Sequence, residues 1–178
     1  PSGAGKTTLV KVLVGLLEPG EGRLLANGRD LRDWDRAAFR RGVGVVLQDD
    51  QLFIGTIEDN VSFFAAQTDP QRVRECVRLA GLEADVDAMP MRYNTLVGAI
   101  GASLSSGQKQ RLLLARALYR KPRFLFLDEA FDQLDLARER QITSGLRDLG
   151  MGIVIVSHRP ETVQGVDRVV DLAASGAR

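Results

Sequence analysis

Apolar positions recur along this chain with two different periods. Leu9, Val10, Leu13, Leu16 and Leu17 follow a helical spacing over Gly5 to Leu17, which ends before Pro19-Gly20. Arg23 to Ala26, followed by Asn27-Gly28, reads as a strand entering a tight turn. Val43 to Leu47 is short, apolar and rich in β-branched residues, the pattern of a buried strand. From Thr56 to Leu82 the period is helical again, with Pro70 as a helix start. Ala84 to Leu104 reads as irregular and carries Pro90, Gly98 and Gly101. Ser105 to Tyr119 holds Leu112, Leu113, Ala115, Arg116 and Leu118 without a breaker, with Pro122 just beyond, and is a strong helix. Phe124 to Leu127 and Ile153 to Val156 are two further buried strands, separated by a helix from Leu136 to Leu149 that stops at Gly150. Val169 to Leu172 is expected to form a last, more exposed strand. Strands alternating with helices predict an α/β fold whose mainly parallel sheet is flanked by helices on both faces.

Composition narrows the class. A length of 178 residues suits one domain with at most a small lobe. A hydrophobic fraction of 44% and a charged fraction of 26% are ordinary for a globular protein and argue against disorder. The 24 basic and 23 acidic residues leave a net charge of +1, so nothing marks the chain as a polyanion binder and no nucleic-acid partner is expected. The single cysteine, Cys76, excludes a disulfide framework and a thiolate metal site. It sits in a helical run with no neighbouring His, which predicts a packed side chain. The single histidine, His158, excludes a His-rich metal centre. The longest wholly apolar runs are about a fifth of a bilayer span.

The chain opens Pro1-Ser2-Gly3-Ala4-Gly5-Lys6-Thr7-Thr8. Against the phosphate-loop pattern G-x-x-x-x-G-K-[ST], these residues supply every position after the first glycine, which would fall just before Pro1. The chain therefore reads as an internal fragment that begins inside its own nucleotide loop, with the preceding strands missing. Gly3 and Gly5 let backbone amides close on phosphate oxygens, and a helix starting near Gly5 aims its positive end at the same anion. Lys6 is the residue type that reaches the outer phosphates, and the Thr7 hydroxyl is a Mg²⁺ ligand.

Phe124-Leu125-Phe126-Leu127 leads into Asp128-Glu129. Two carboxylates at a strand end are by themselves commonly just solvated. Behind four buried residues, and downstream of a phosphate loop, they stand where open α/β sheets bind their ligands. Asp128 is placed to hold Mg²⁺ through water, and Glu129 to orient and polarise an attacking water.

Leu104-Ser105-Ser106-Gly107-Gln108 opens the Ser105 helix. Ser105 is a good N-cap in its own right. With the loop and the paired carboxylates in the same order, this segment resembles the L-S-G-G-Q signature of the ATP-binding cassette ATPases, with Ser106 in place of a glycine. The resemblance covers nearly the whole chain. It implies a P-loop NTPase fold with a helical subdomain at roughly 56–119 that carries the signature, ATP and Mg²⁺ as ligands, and ATP hydrolysis as the activity.

By that resemblance the ATP-binding residues are Ser2, Gly3, Ala4, Gly5, Lys6, Thr7, Thr8, Gln48, Asp128 and His158. The catalytic set is Glu129, His158, Lys6 and Gln48, and the metal ligands are Thr7, Gln48 and Asp128. Ser105, Ser106, Gly107 and Gln108 would act on the nucleotide of a second cassette in a head-to-tail dimer. Phe131-Asp132-Gln133-Leu134-Asp135 takes the D-loop position, where only Leu134 and Asp135 match the usual S-A-L-D. The segments from Gln48 to Val61 and from Met89 to Gly98 are similar to those of exporter cassettes, and of bacterial peptide and bacteriocin exporters of the colicin V type. That type carries an N-terminal peptidase domain and membrane helices outside this segment, and binds the exported peptide elsewhere. The expected site of action is the cytoplasmic face of the bacterial inner membrane. An importer's ATPase subunit and a soluble tandem-cassette ATPase share the same chemistry and stay as alternatives. The stretch between Lys6 and Ser105 is too short for the coiled coil of the DNA-repair relatives.

Overall fold

The computed structural model describes residues 5–99, 101–159, 162 and 166–172. Helix α1 (Lys6–Leu13) is followed by a hairpin of β1 (Leu25–Ala26) and β2 (Arg29–Asp30). Asn27 and Gly28 turn it with φ of 51° and 77°, the two positive angles that a two-residue hairpin turn requires. Helix α2 (Arg36–Arg41), capped by the Asp35 carboxylate, then leads into β3 (Val43–Val46). Next come β4 (Gly55–Thr56), α3 (Ile57–Ser62), α4 (Pro70–Leu79), α5 (Glu83–Asp87) and β5 (Leu96–Val97). The chain continues through α6 (Ser106–Tyr119), β6 (Phe124–Asp128), α7 (Leu136–Arg147) and β7 (Gly152–Val156).

The three long strands form a parallel sheet in the order β3-β6-β7. In that register Val46 lies beside Leu127, and Asp128 beside Val156. All three carboxyl ends therefore emerge at one edge, and whatever follows each strand is gathered there. Side chains of β6 alternate between faces. Leu125 and Leu127 enter the larger core with Ile57, Val73, Leu112 and Ile142, while Phe126 points the other way onto Val10 of α1 and Val14 just after it. The central strand is thus covered on both sides, as expected of a parallel sheet.

Several local expectations are corrected. The first helix ends at Leu13 rather than Leu17, because Gly15 takes φ 73° and the Leu16 and Gly15 amides close back on the Lys11 and Val12 carbonyls. The helical run from Thr56 breaks at Phe63 and Phe64, both with φ near 54° in left-handed backbone; α4 then restarts at Pro70, with Asp69 as its cap. The segment expected to be irregular, 84–104, contains most of α5 and the whole of β5, which pairs antiparallel with β4. Val169 to Leu172 is not a strand: Val169 and Val170 are exposed, and no sheet order includes them. Among the described residues no helix is long and apolar enough to cross a membrane.

Candidate functional site

The phosphate-loop residues Ser2, Gly3 and Ala4 lie outside the described residues. Gly5 caps α1, and Lys6, Thr7 and Thr8 form its first turn. No acidic side chain sits in that turn to oppose an anion at the helix's positive end.

At the sheet edge, Lys6 Nζ lies 2.9 Å from His158 Nδ1 and 2.7 Å from Nε2. His158 Nε2 in turn lies 2.8 Å from Glu129 Oε1. An ammonium group only donates, so its contact with the imidazole needs a ring nitrogen that carries no hydrogen. The first residue of α1, the residue after β6 and the loop after β7 are thereby joined into one chain of polar contacts. Glu129 has φ 54°, a left-handed conformation that a non-glycine residue adopts at a cost of about 1 kcal/mol or more. The kink redirects the chain as it leaves the sheet, and the Glu129 amide donates to the Val156 carbonyl of β7.

Asp128 is the last residue of β6 and only 1% exposed, and its Oδ2 is buried without a hydrogen-bond partner. A buried carboxylate oxygen left unpaired in this way is a fitting donor for a hard cation. The Thr7 hydroxyl and the Gln48 amide carbonyl are hard oxygen donors as well. Among the described residues no cluster of three or more His, Cys, Asp or Glu could hold a metal alone. Gln48 is exposed, in a turn closed by Asp50, whose carboxylate accepts from the Leu47 amide at 3.0 Å. It stands at the same edge, outside the Lys6–His158–Glu129 chain.

Ser105 caps α6 through a capping box: its hydroxyl accepts from the Gln108 amide at 3.1 Å, and Gln108 Oε1 accepts from the Ser105 amide at 2.9 Å. Ser105 and Ser106 are exposed and Gly107 is buried. A Cβ on Gly107 would stand 3.2 Å from the Gln133 carbonyl oxygen and 3.3 Å from Leu134 Cδ2, so the glycine permits the loop to pack closely. Ser106 Oγ also reaches Gln133 Oε1 at 3.3 Å. Residues 105–108 thus lie against the 131–135 loop of their own chain.

Two features lie outside the roles read from sequence. Arg159 Nη1 stands 3.0 Å from each of the Phe131 carbonyl, the Leu134 carbonyl and Glu139 Oε2, and the Thr162 hydroxyl donates to Glu139 Oε1 at 2.6 Å. The residue after His158 therefore ties its loop to residues 131–134 and to α7. Asp132 is a second acid beside Glu129; burial, then the Glu129 charge, raise its carboxyl above the usual aspartate range. A basic residue directly after His158 was the sole sequence hint of the first.

The family described as ABC transporter matches residues 1–132. The chain is 46% identical over 171 residues to a probable microcin-H47 secretion/processing ATP-binding protein of Escherichia coli, and equally so to a colicin V secretion/processing ATP-binding protein of that organism. Each alignment covers 96% of this chain and 24% of the relative, so the chain spans about a quarter of the length of these curated relatives. In structure it is similar to a bacterial Atm1-family ABC exporter with ATP bound, with a TM-score of 0.87 and 34% identity, covering 94% of this chain and 30% of that one. With the matched residues spanning the loop, the capped signature helix and the strand-end carboxylates alike, the chain belongs to the ABC transporter family.

Proposed function

We propose that this chain is the ATP-binding and ATP-hydrolysing cassette of a bacterial exporter, powering export of a bacteriocin-like peptide from the cytoplasmic face of the inner membrane. The observation that carries the reading is the Lys6–His158–Glu129 chain of contacts at the carboxyl edge of the sheet. Phosphoryl transfer to water needs charge neutralisation, in-line positioning and an oriented nucleophile, and those three residue types supply them in one place. Lys6 and the Gly5 end of α1 hold the phosphates. Glu129 orients the attacking water and takes its proton as the bond from γ-phosphorus to ADP breaks. His158 holds the Glu129 carboxylate and faces the same phosphate. When bound, Mg²⁺ supplies charge neutralisation at the phosphates, with Thr7, Gln48 and Asp128 as the oxygen donors.

Ser105, Ser106, Gly107 and Gln108 complete the site of a second cassette in a head-to-tail dimer. The exposed Ser105 hydroxyl at the mouth of α6 supports this. The helical subdomain spans roughly 56–119, and its outer surface carries the exposed side chains of Phe53, Ile54, Phe63 and Phe64 nearby. The Arg116 guanidinium brackets two of them, 5.1 Å from the Phe53 ring centre and 5.9 Å from that of Phe63. Exposed aromatic clusters of this kind mark docking faces, and this one suits the membrane domains of the full-length chain. The relatives named for microcin and colicin V secretion favour an exporter of peptides over an importer.

Steady-state ATP hydrolysis by the intact protein, with and without Mg²⁺, tests the reading. Mg²⁺-dependent turnover is expected. Nucleotide binding without turnover at any protein concentration would replace hydrolysis with a regulatory role.

A further inference from the structure

Asp85 lies on α5, outside every motif above, yet both of its carboxylate oxygens are committed to the start of α6. Oδ1 accepts from Gln108 Nε2 at 2.8 Å, and Oδ2 accepts from Arg111 Nη1 at 2.6 Å. Gln108 uses its other side-chain atom, Oε1, to hold the Ser105 amide. Arg111, 3% exposed, also donates from Nε to the Gly107 carbonyl at 3.2 Å and from Nη1 to the Gly81 carbonyl. One carboxylate therefore reaches Ser105 through Gln108 and Gly107 through Arg111.

The geometry points to Asp85 as a positioning residue for the 105–108 segment, fixing the Ser105 hydroxyl and the Gly107 backbone that meet the partner cassette's nucleotide. The assignment rests on the reading of that segment as half of a site completed across a dimer. The capping box fixes where α6 begins through Gln108 Oε1, but by itself it leaves Gln108 Nε2 unpartnered and sets no contact between this turn and α5. Asp85 supplies both, because its two acceptors are spent on two residues of a single turn. The pair also compensates a buried guanidinium, which stability alone would not require, since buried ion pairs are often no more stabilising than apolar packing.

The test measures ATP turnover and binding of a fluorescent ATP analogue in the intact protein for Asp85→Asn, Asp85→Glu, Asp85→Asn with Arg111→Leu, and Ser105→Arg. Asp85→Asn is expected to lower kcat by roughly tenfold or more while analogue affinity stays within about twofold, because the Lys6 loop of the same chain is untouched. Asp85→Glu recovers part of kcat. The double variant, which leaves no unpaired buried charge, recovers thermal stability and not kcat. A kcat within about threefold of the parent for Asp85→Asn, or one that returns with stability in the double variant, overturns the assignment. So does analogue binding that falls in step with kcat. Ser105→Arg separates the two levels: normal turnover there overturns the dimer reading itself, whereas an inactive Ser105→Arg protein beside an active Asp85→Asn protein overturns the role of Asp85 alone.

Discussion

Glu129 and His158 meet across the carboxyl edge of the sheet, Oε1 to Nε2 at 2.8 Å, although they leave from two different strands. The pairing depends on the parallel register that sets Asp128 beside Val156, and on the left-handed turn at Glu129 that swings the chain off β6. A carboxylate held in this way presents one oxygen to the imidazole.

Glu129→Gln retains the shape and the contact with His158 but loses the proton acceptor. Turnover is expected to fall by about 10²–10⁴ with nucleotide affinity nearly unchanged, the range over which general bases act. Parallel measurement of ATP hydrolysis and analogue binding checks this; turnover close to the parent would remove Glu129 from the role of base.

Lys6→Ala deletes the ammonium that heads the contact chain. A charge-assisted hydrogen bond contributes about 1.5–3 kcal/mol, so nucleotide affinity should weaken roughly tenfold or more. Titration with the same analogue reads the effect directly, and an unchanged affinity would mean that the phosphates bind elsewhere.

Gly107→Ala places a Cβ 3.2 Å from the Gln133 carbonyl, and the 131–135 loop must retreat. Overpacking of this kind costs about 1–3 kcal/mol. A loss of turnover without loss of analogue binding is expected if the segment faces a partner cassette as proposed.

Arg159→Met removes the tie between the His158 loop and the Phe131 and Leu134 carbonyls, and leaves the buried Glu139 without its cation. Stability should fall by about 3 kcal/mol, as for other buried pairs broken on one side. Adding Glu139→Gln should restore most of the denaturation midpoint while turnover stays depressed; recovery of both would make Arg159 a structural residue only.

Burial pushes the Cys76 thiol up to about 11 from an ordinary value of 9.0. The native state therefore holds this proton more tightly than the unfolded chain does. That contribution to stability is complete below about pH 9 and is lost as pH rises toward 11. At pH 8 an aromatic disulfide reagent should label Cys76 only after denaturation. Rapid labelling of the native protein would take the thiol out of the core.

The elements with strong periodicity were legible because their cause is local. Residues 106–119 carry a helical apolar stripe with a capping box at one end, and 124–128 pack apolar side chains on both faces of a strand. The errors arose where one or two backbone angles decide. Gly15 ends α1 early, Phe63 and Phe64 split a helical run, and Val169 to Leu172 carry a strand's composition but join no sheet among the described residues. Short elements such as α5 and β5 gain their stability from tertiary packing, and their few residues hold too little periodic signal to be read.

The amino-acid order by itself determined the chemical groups available: a glycine-rich loop with Lys6 and Thr7, paired carboxylates at a strand end, a capped serine helix, and one histidine after a strand. It also determined that the strands run parallel, since helix-length segments separate them; of the strands read as buried, β6 is, while β7, with Val154 exposed, is only partly so. Only the tertiary structure decided which groups touch. The Lys6–His158–Glu129 contacts, the grip of Arg159 on the 131–135 loop and the double engagement of Asp85 with α6 all join residues far apart in the chain. Such contacts depend on strand order, register and single backbone turns, which no local pattern of polar and apolar residues encodes.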